Sequence, residues 1–127
     1  GVDFVLKDFE RMQGGEIFIP KIPSMLVTEL ANAIAPDMSH CIVGIRPGEK
    51  LHEIMCPSDD SHLTLEFDDH YVIRPTIQFN HEVDFMKNPL GEIGKSVKQG
   101  HEYNSGTNTE WLSKEEFLQM VNEVNFF

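Results

Sequence analysis

Apolar residues return at helical intervals from the first positions of the chain. Val2, Val5, Leu6, Phe9 and Met12 are separated by Asp3, Lys7, Asp8, Glu10 and Arg11. This predicts an amphipathic helix over 2–13 that Gly14-Gly15 stops. Glu16-Ile17-Phe18-Ile19 follows, nearly all apolar between Gly15 and Pro20, which predicts a strand buried on both faces of a parallel sheet. Beyond Pro20-Lys21-Ile22-Pro23, the spacing of Val27, Leu30, Ala31 and Ile34 predicts a second helix over 25–35, with Ser24 as its cap and Pro36 as its stop. Cys41-Ile42-Val43-Gly44-Ile45 predicts a second strand, parallel to the first, with the helices as crossovers. Arg46-Pro47-Gly48-Glu49-Lys50 is a turn by composition, with a short helix expected through Met55.

The period then changes. Leu63, Leu65 and Phe67 alternate with polar residues, and Tyr71-Val72-Ile73 follows the Asp68-Asp69-His70 bend, so residues 62–74 predict a half-exposed β-hairpin. From Thr76 to Thr109 no period persists, and the stretch is too long for an ordinary connection; it reads as an extended arm packed on the body. Ser113 and Glu116 form a capping box ahead of a last helix with Phe117, Leu118, Val121 and Val124 on its stripe. Trp111 beside it is expected to be a packing anchor. These elements place the chain in the α/β class. Two buried strands cannot cover both faces or protect their edges. The pattern therefore predicts a fragment whose missing strands lie upstream of Gly1, and raised exposure at Phe4, Phe9, Phe18 or Ile19.

Charge narrows the set of partners. A formal net charge of −11 repels polyanions, so no nucleic acid partner is expected. One small phosphorylated ligand stays compatible, because its site needs only one or two cations and local backbone donors. No run approaches the roughly 20 apolar residues of a membrane span, and the first residues lack a signal-peptide layout. A cytoplasmic protein with no membrane partner is expected. Cys41 and Cys56 read as free thiols. His40, His52, His62, His70, His81 and His101 show no paired spacing, and Asp59-Asp60 reads as well as a loop or a helix cap, so no metal ligand is assigned.

There is no G-x-G-x-x-G or P-loop sequence, and no G-x-S-x-G elbow. Tyr71 and Tyr103 are followed four positions on by Pro75 and Thr107, so no Tyr-x-x-x-Lys pair exists. No catalytic and no cofactor-binding residue is therefore assigned. The informative run is Ile42 to Glu53. Arg46 sits where a strand is expected to end and a Pro-Gly turn to begin, the place where open α/β sheets bind ligands, and its planar fork suits a diphosphate. Glu49 is placed to accept from a ribose hydroxyl. The same two residues read equally as a surface ion pair, and spacing leaves both readings open.

Three stretches carry a resemblance. They are Gly15-Glu16-Ile17-Phe18-Ile19-Pro20-Lys21-Ile22-Pro23-Ser24-Met25, Gly44-Ile45-Arg46-Pro47-Gly48-Glu49-Lys50-Leu51-His52-Glu53, and Tyr103-Asn104-Ser105-Gly106-Thr107-Asn108-Thr109-Glu110-Trp111-Leu112-Ser113. Together with Asp59-Asp60-Ser61-His62-Leu63-Thr64 and Tyr71-Val72-Ile73-Arg74-Pro75, they are similar to the carboxyl-terminal third of inverting UDP-N-acetylglucosamine 4,6-dehydratases. That family belongs to the extended short-chain dehydrogenase/reductase superfamily. Only residues 76–100 match loosely.

The resemblance implies the edge of a Rossmann-like sheet and a small nucleotide-sugar-binding subdomain over 1–75, then an arm and terminal helix over 76–127. It implies an NADP-dependent lyase that oxidises UDP-N-acetylglucosamine at C4, eliminates water across C5 and C6, returns the hydride to C6 and inverts C5. The product would feed pseudaminic acid or related surface-glycan synthesis, and the whole enzyme would be a homo-oligomer. By the same resemblance Arg46 contacts the nucleotide diphosphate and Glu49 the ribose, with Lys50 and Lys21 as weaker substrate-binding candidates. The NADP loop and the catalytic lysine and acid of the family have no counterpart here, so the chain alone is expected to be inactive. Two other readings remain: a non-catalytic UDP-sugar-binding or interaction module, and a related nucleotide-sugar epimerase.

Overall fold

The computed structural model describes residues 1–77 and 83–123. It has an α/β architecture in two compact units, each built from two stretches of chain, and the stretch Ile54–Asn104 of the first unit runs across the expected boundary at residue 75. The first unit comprises Gly1–Lys21 with Ile54–Asn104, the second Ile22–Glu53 with Ser105–Phe127.

The first unit is organised by an antiparallel sheet. Strand β1 (Ile17–Pro20), β3 (Thr64–Glu66), β4 (His70–Ile73) and β5 (Lys95–Ser96) lie in the order β1-β4-β3-β5. The predicted hairpin forms, with Leu65 opposite Val72 and Glu66 opposite Tyr71. Because β4 is flanked by β1 and β3, all four of its residues are buried, and the half-exposed reading is corrected on that strand. Side-chain alternation divides the core between the two faces. Ile19, Tyr71 and Ile73 gather with Cys56 and Tyr103 on one; Leu65, Phe67, Val72 and Phe85 gather on the other. Strand β2 (Ile54–Cys56) pairs with β6 (Tyr103–Asn104).

Helix α1 (Val2–Arg11) forms where its period predicts, but the face it turns to the unit carries Phe4, Asp8 and Arg11 rather than the apolar stripe. Arg11 is fully buried among Asp8, Asp69 and Glu92. Val2, Val5, Leu6, Phe9 and Met12 are exposed, so the described residues do not cover the apolar stripe. Of the four aromatic and aliphatic residues expected to be unusually exposed, Phe9 is exposed, Phe4 and Phe18 are intermediate, and Ile19 is buried.

In the second unit, α2 (Val27–Ile34) packs against α3 (Lys114–Glu123). The capping box of α3 closes as expected. The Glu116 carboxylate accepts from the Ser113 N–H at 2.8 Å and the Ser113 hydroxyl at 2.7 Å, and the Glu116 N–H reaches the Ser113 Oγ at 3.2 Å. Val124 lies outside the described residues. Trp111 is 48% exposed, so its ring is a weaker anchor than expected. Its segment is tied down by backbone instead, through Ser24 N–H to the Glu110 carbonyl and Leu112 N–H to the Ser24 carbonyl.

Four local expectations are corrected. β1 is an antiparallel edge strand paired with β4, and Ile17 is exposed, so it is neither parallel nor buried on both faces. Residues 41–45 form no strand, and Ile42 is 95% exposed. An apolar run becomes a strand only where a sheet edge receives it, and β1 pairs elsewhere. The short helix through Met55 is replaced by β2, because Cys56 is drawn into the core. The residue preceding α2 is Leu26, with no side-chain cap; the Ser24 hydroxyl donates to the Ser105 carbonyl at 2.9 Å instead. Between residues 76 and 109 the described regular structure is limited to β5 and β6, as the weak period predicts.

Candidate functional site

The Arg46–Glu49 turn is held by two reciprocal hydrogen bonds. The Glu49 N–H donates to the Arg46 carbonyl at 3.1 Å, and the Arg46 N–H donates to the Glu49 carboxylate Oε2 at 2.9 Å. Pro47 pre-sets the first inner position, and Gly48, at φ +83°, supplies the left-handed second one. Every residue from 41 to 50 is exposed. The turn thus holds Arg46 by its backbone, while its guanidinium has no protein partner among the described residues. The surface ion pair does not form: Glu49 binds the Arg46 main chain, which leaves Oε1 available. Lys50 follows on the same exposed segment.

Lys21 belongs to the other unit. Its Nζ lies 2.9 Å from Glu66 Oε1 and 5.0 Å from the centre of the Tyr71 ring. The hydrogen bond from Lys21 holds the Glu66 carboxyl below its usual range. Burial, reinforced by Glu66, pushes the Tyr71 hydroxyl up to about 12. Lys21 therefore already has a counter-charge, unlike Arg46. Spacing cannot reveal the Lys21–Glu66 pair, since the two residues are brought together only by the sheet. The Arg11 cluster is hidden for the same reason. Among the described residues no group of three or more His, Cys, Asp or Glu side chains is placed to hold a metal ion. Cys41 is an exposed free thiol and Cys56 a buried one; burial pushes the Cys56 thiol up to about 11, so it stays protonated.

The first 75 residues match the family model described as polysaccharide biosynthesis protein. The chain is 58% identical over 128 aligned residues to the UDP-N-acetylglucosamine 4,6-dehydratase (inverting) of Campylobacter jejuni subsp. jejuni serotype O:2, covering 100% of this chain and 38% of that protein. It is 31% identical over 136 residues to an uncharacterized membrane protein of Methanocaldococcus jannaschii, covering 98% of this chain and 36% of the relative. Among the described residues no helix is long and apolar enough to cross a membrane. The X-ray structure of Pen from Bacillus thuringiensis shares the fold, with a TM-score of 0.69 at 22% identity over 96% of this chain and 35% of that one. The chain thus spans little more than a third of the length of these relatives. By the family match over more than half of its residues, it belongs to the polysaccharide biosynthesis protein family.

Proposed function

We propose that this chain is the nucleotide-sugar-binding portion of an NADP-dependent UDP-N-acetylglucosamine 4,6-dehydratase of the C5-inverting kind, acting in the cytoplasm in bacterial surface-glycan synthesis, such as that of pseudaminic acid. The observation that carries this reading is the identity of 58% with the Campylobacter dehydratase across the whole chain. The geometry of the Arg46 turn agrees with it. A guanidinium without a protein partner can bond two phosphate oxygens of a diphosphate at once. The free oxygen of Glu49 suits a ribose hydroxyl, and Lys50 is a further cation on the same exposed segment. Lys21 is the weakest of the four candidates, because Glu66 already neutralises it.

The residues present do not fit a dinucleotide. Gly44 and Gly48 have positive φ, but no helix begins after them to direct its N-terminus at a pyrophosphate. We therefore assign NADP and the catalytic groups to residues beyond these 127. On this reading residues 1–75 complete the Rossmann-like and sugar-binding part of a homo-oligomeric extended short-chain dehydrogenase/reductase, and 76–127 form its arm and terminal helix.

Calorimetric titration of the chain with UDP tests the proposal. Arg46→Ala should raise Kd by about ten- to a hundredfold, the loss of one hydrogen bond to a charged group worth roughly 1.5–3 kcal/mol, and Arg46→Lys should restore only part of it. Equal UDP affinity in the parent and Arg46→Ala would remove Arg46 from the site.

A further inference from the structure

The first unit contains a cleft that shares no residue with the Arg46 turn and is independent of the function proposed for that turn. It is an open hollow of about 590 Å³ between the Ser58–His62 segment and the Ser96–Gly100 segment, and Ser58, Asp59, His62, Ser96, Val97 and Gln99 are among its lining residues. That volume lies within the roughly 300–1,000 Å³ typical of small-molecule sites. We propose that this cleft binds the hydroxyl face of an uncharged sugar.

The walls are held by hydrogen bonds that leave the side chains of Ser58, Asp59, Ser96 and Gln99 without a protein partner among the described residues. The Asp60 carbonyl accepts from the Leu63 N–H at 2.9 Å and from the Thr64 hydroxyl at 2.8 Å, which fixes the first segment. Ser96 is set opposite Leu65 in the sheet, and the Val97 N–H donates to the Thr64 carbonyl at 3.3 Å. The buried Ser61 joins the two segments, its Oγ accepting from the Gly100 N–H at 2.9 Å.

The chemistry of the lining selects the ligand class. His62 Nδ1 lies 3.0 Å from the Asp59 carbonyl oxygen. A carbonyl can only accept, so Nδ1 carries the proton and, in the neutral ring, Nε2 is left as an acceptor. The Asp59 carboxylate has no protein partner among the described residues and can accept from two neighbouring hydroxyls. Ser58, Ser96 and Gln99 add groups that both donate and accept. The lining contains no Lys or Arg, so a phosphate would meet a carboxylate without compensation. A divalent cation would find one carboxylate and one imidazole, short of the oxygen-rich shell it requires. Vicinal hydroxyls of a neutral pyranose match the set, with Val97 under a C–H face. The cleft is open to solvent, with Asp59, His62, Ser96 and Gln99 exposed, so the expected affinity is millimolar.

Amide NMR spectra of the 127-residue chain, titrated with N-acetylglucosamine, methyl glucoside or inorganic phosphate, test the proposal. One or both neutral sugars should shift the signals of residues 58–62 and 96–100, and phosphate should not. Asp59→Asn preserves shape and removes the charge; it should weaken sugar binding by about tenfold, as expected for one hydrogen bond to a charged acceptor. His62→Phe removes the Nε2 acceptor and should weaken it also, while Arg46→Ala should leave it unchanged. Spectra of the variants away from the cleft report whether the fold is intact. Absence of sugar-dependent shifts at these residues, an equal response to phosphate, or undiminished binding in Asp59→Asn would each overturn the assignment.

Discussion

The Arg11 guanidinium reaches both carboxylate oxygens of Asp69 through Nη2, at 2.8 Å each, with no exposure of the arginine side chain to solvent. The contact joins the last turn of α1 to the β3–β4 bend. Glu92 completes the cluster, accepting from Arg11 Nε at 2.8 Å. Residues far apart in the chain are thus locked by charge on the face where the helix would ordinarily contribute apolar packing.

Arg11→Met should destabilise the chain by about 2–3 kcal/mol. Removing one partner of a buried pair costs about 3–5 kcal/mol, but Asp69 and Glu92 are partly exposed, at 53% and 31% of their side chains, and can recover water. Urea unfolding followed by circular dichroism measures this, and Arg11→Lys should recover only part of the loss. An unchanged midpoint in Arg11→Met would show that the cluster contributes no net stability.

The same cluster predicts acid sensitivity. Hydrogen bonding from Arg11 leads the causes that lower the Glu92 carboxyl from 4.5 to about 2, against the opposing effect of burial. At Asp69 burial acts upward, but hydrogen bonds from Arg11 and His70 outweigh it and hold the carboxyl well below its usual range. Both folded-state values are depressed, so the unfolded chain binds more protons at low pH. The stabilisation is present above about pH 4.5 and is lost as pH falls towards about 2. Unfolding midpoints should fall across that window, and more steeply in the parent than in Arg11→Met.

Gly94→Ala should destabilise the first unit by roughly 1–3 kcal/mol through overpacking. A Cβ at Gly94 would lie 2.6 Å from two ring atoms of Phe67. That ring cannot move freely, being buried and stacked on His70 at 4.6 Å between centroids. Adding Phe67→Leu should make the double variant lose less than the sum of the single changes, which thermal unfolding of the four proteins would measure.

Gly48→Ala tests the turn that holds Arg46. No neighbouring atom lies within 4 Å of the added Cβ, so the cost comes from holding an L-residue at φ +83°, about 1 kcal/mol. A weakening of UDP binding by about threefold to tenfold is expected, with little change in global stability because residues 41–50 are exposed. Undiminished UDP affinity would show that the geometry of the turn does not matter to the ligand.

The candidate site was legible where it is local. Pro47, Gly48 and the i to i+3 relation of Arg46 and Glu49 specify a turn within four residues, and the turn forms. Lys21 was legible as a cation but not as one already paired, because Glu66 comes beside it only through the β1-β4-β3 order of strands. The sugar cleft was not legible at all: the Ser58–His62 and Ser96–Gly100 segments meet through sheet pairing and Ser61.

What the sequence by itself determined was set by contacts a few residues apart. The period of α1 and α2, the Ser113–Glu116 capping box and the hairpin around Asp68-Asp69 all belong here, because helical hydrogen bonds and tight turns close within one or two turns of chain. Tertiary structure alone decided the partner of β1, the absence of a strand at 41–45 and the burial of the Phe4–Arg11 face of α1 in place of its apolar stripe. An apolar run such as Ile42-Val43 or Ile17-Phe18-Ile19 suits almost any sheet edge, and the helical period shows that α1 has two faces without saying which one turns inward. Which edge is reached, and whether Arg11 meets Asp69 and Glu92, depends on residues brought together from distant parts of the chain, where local composition carries no information about the partner.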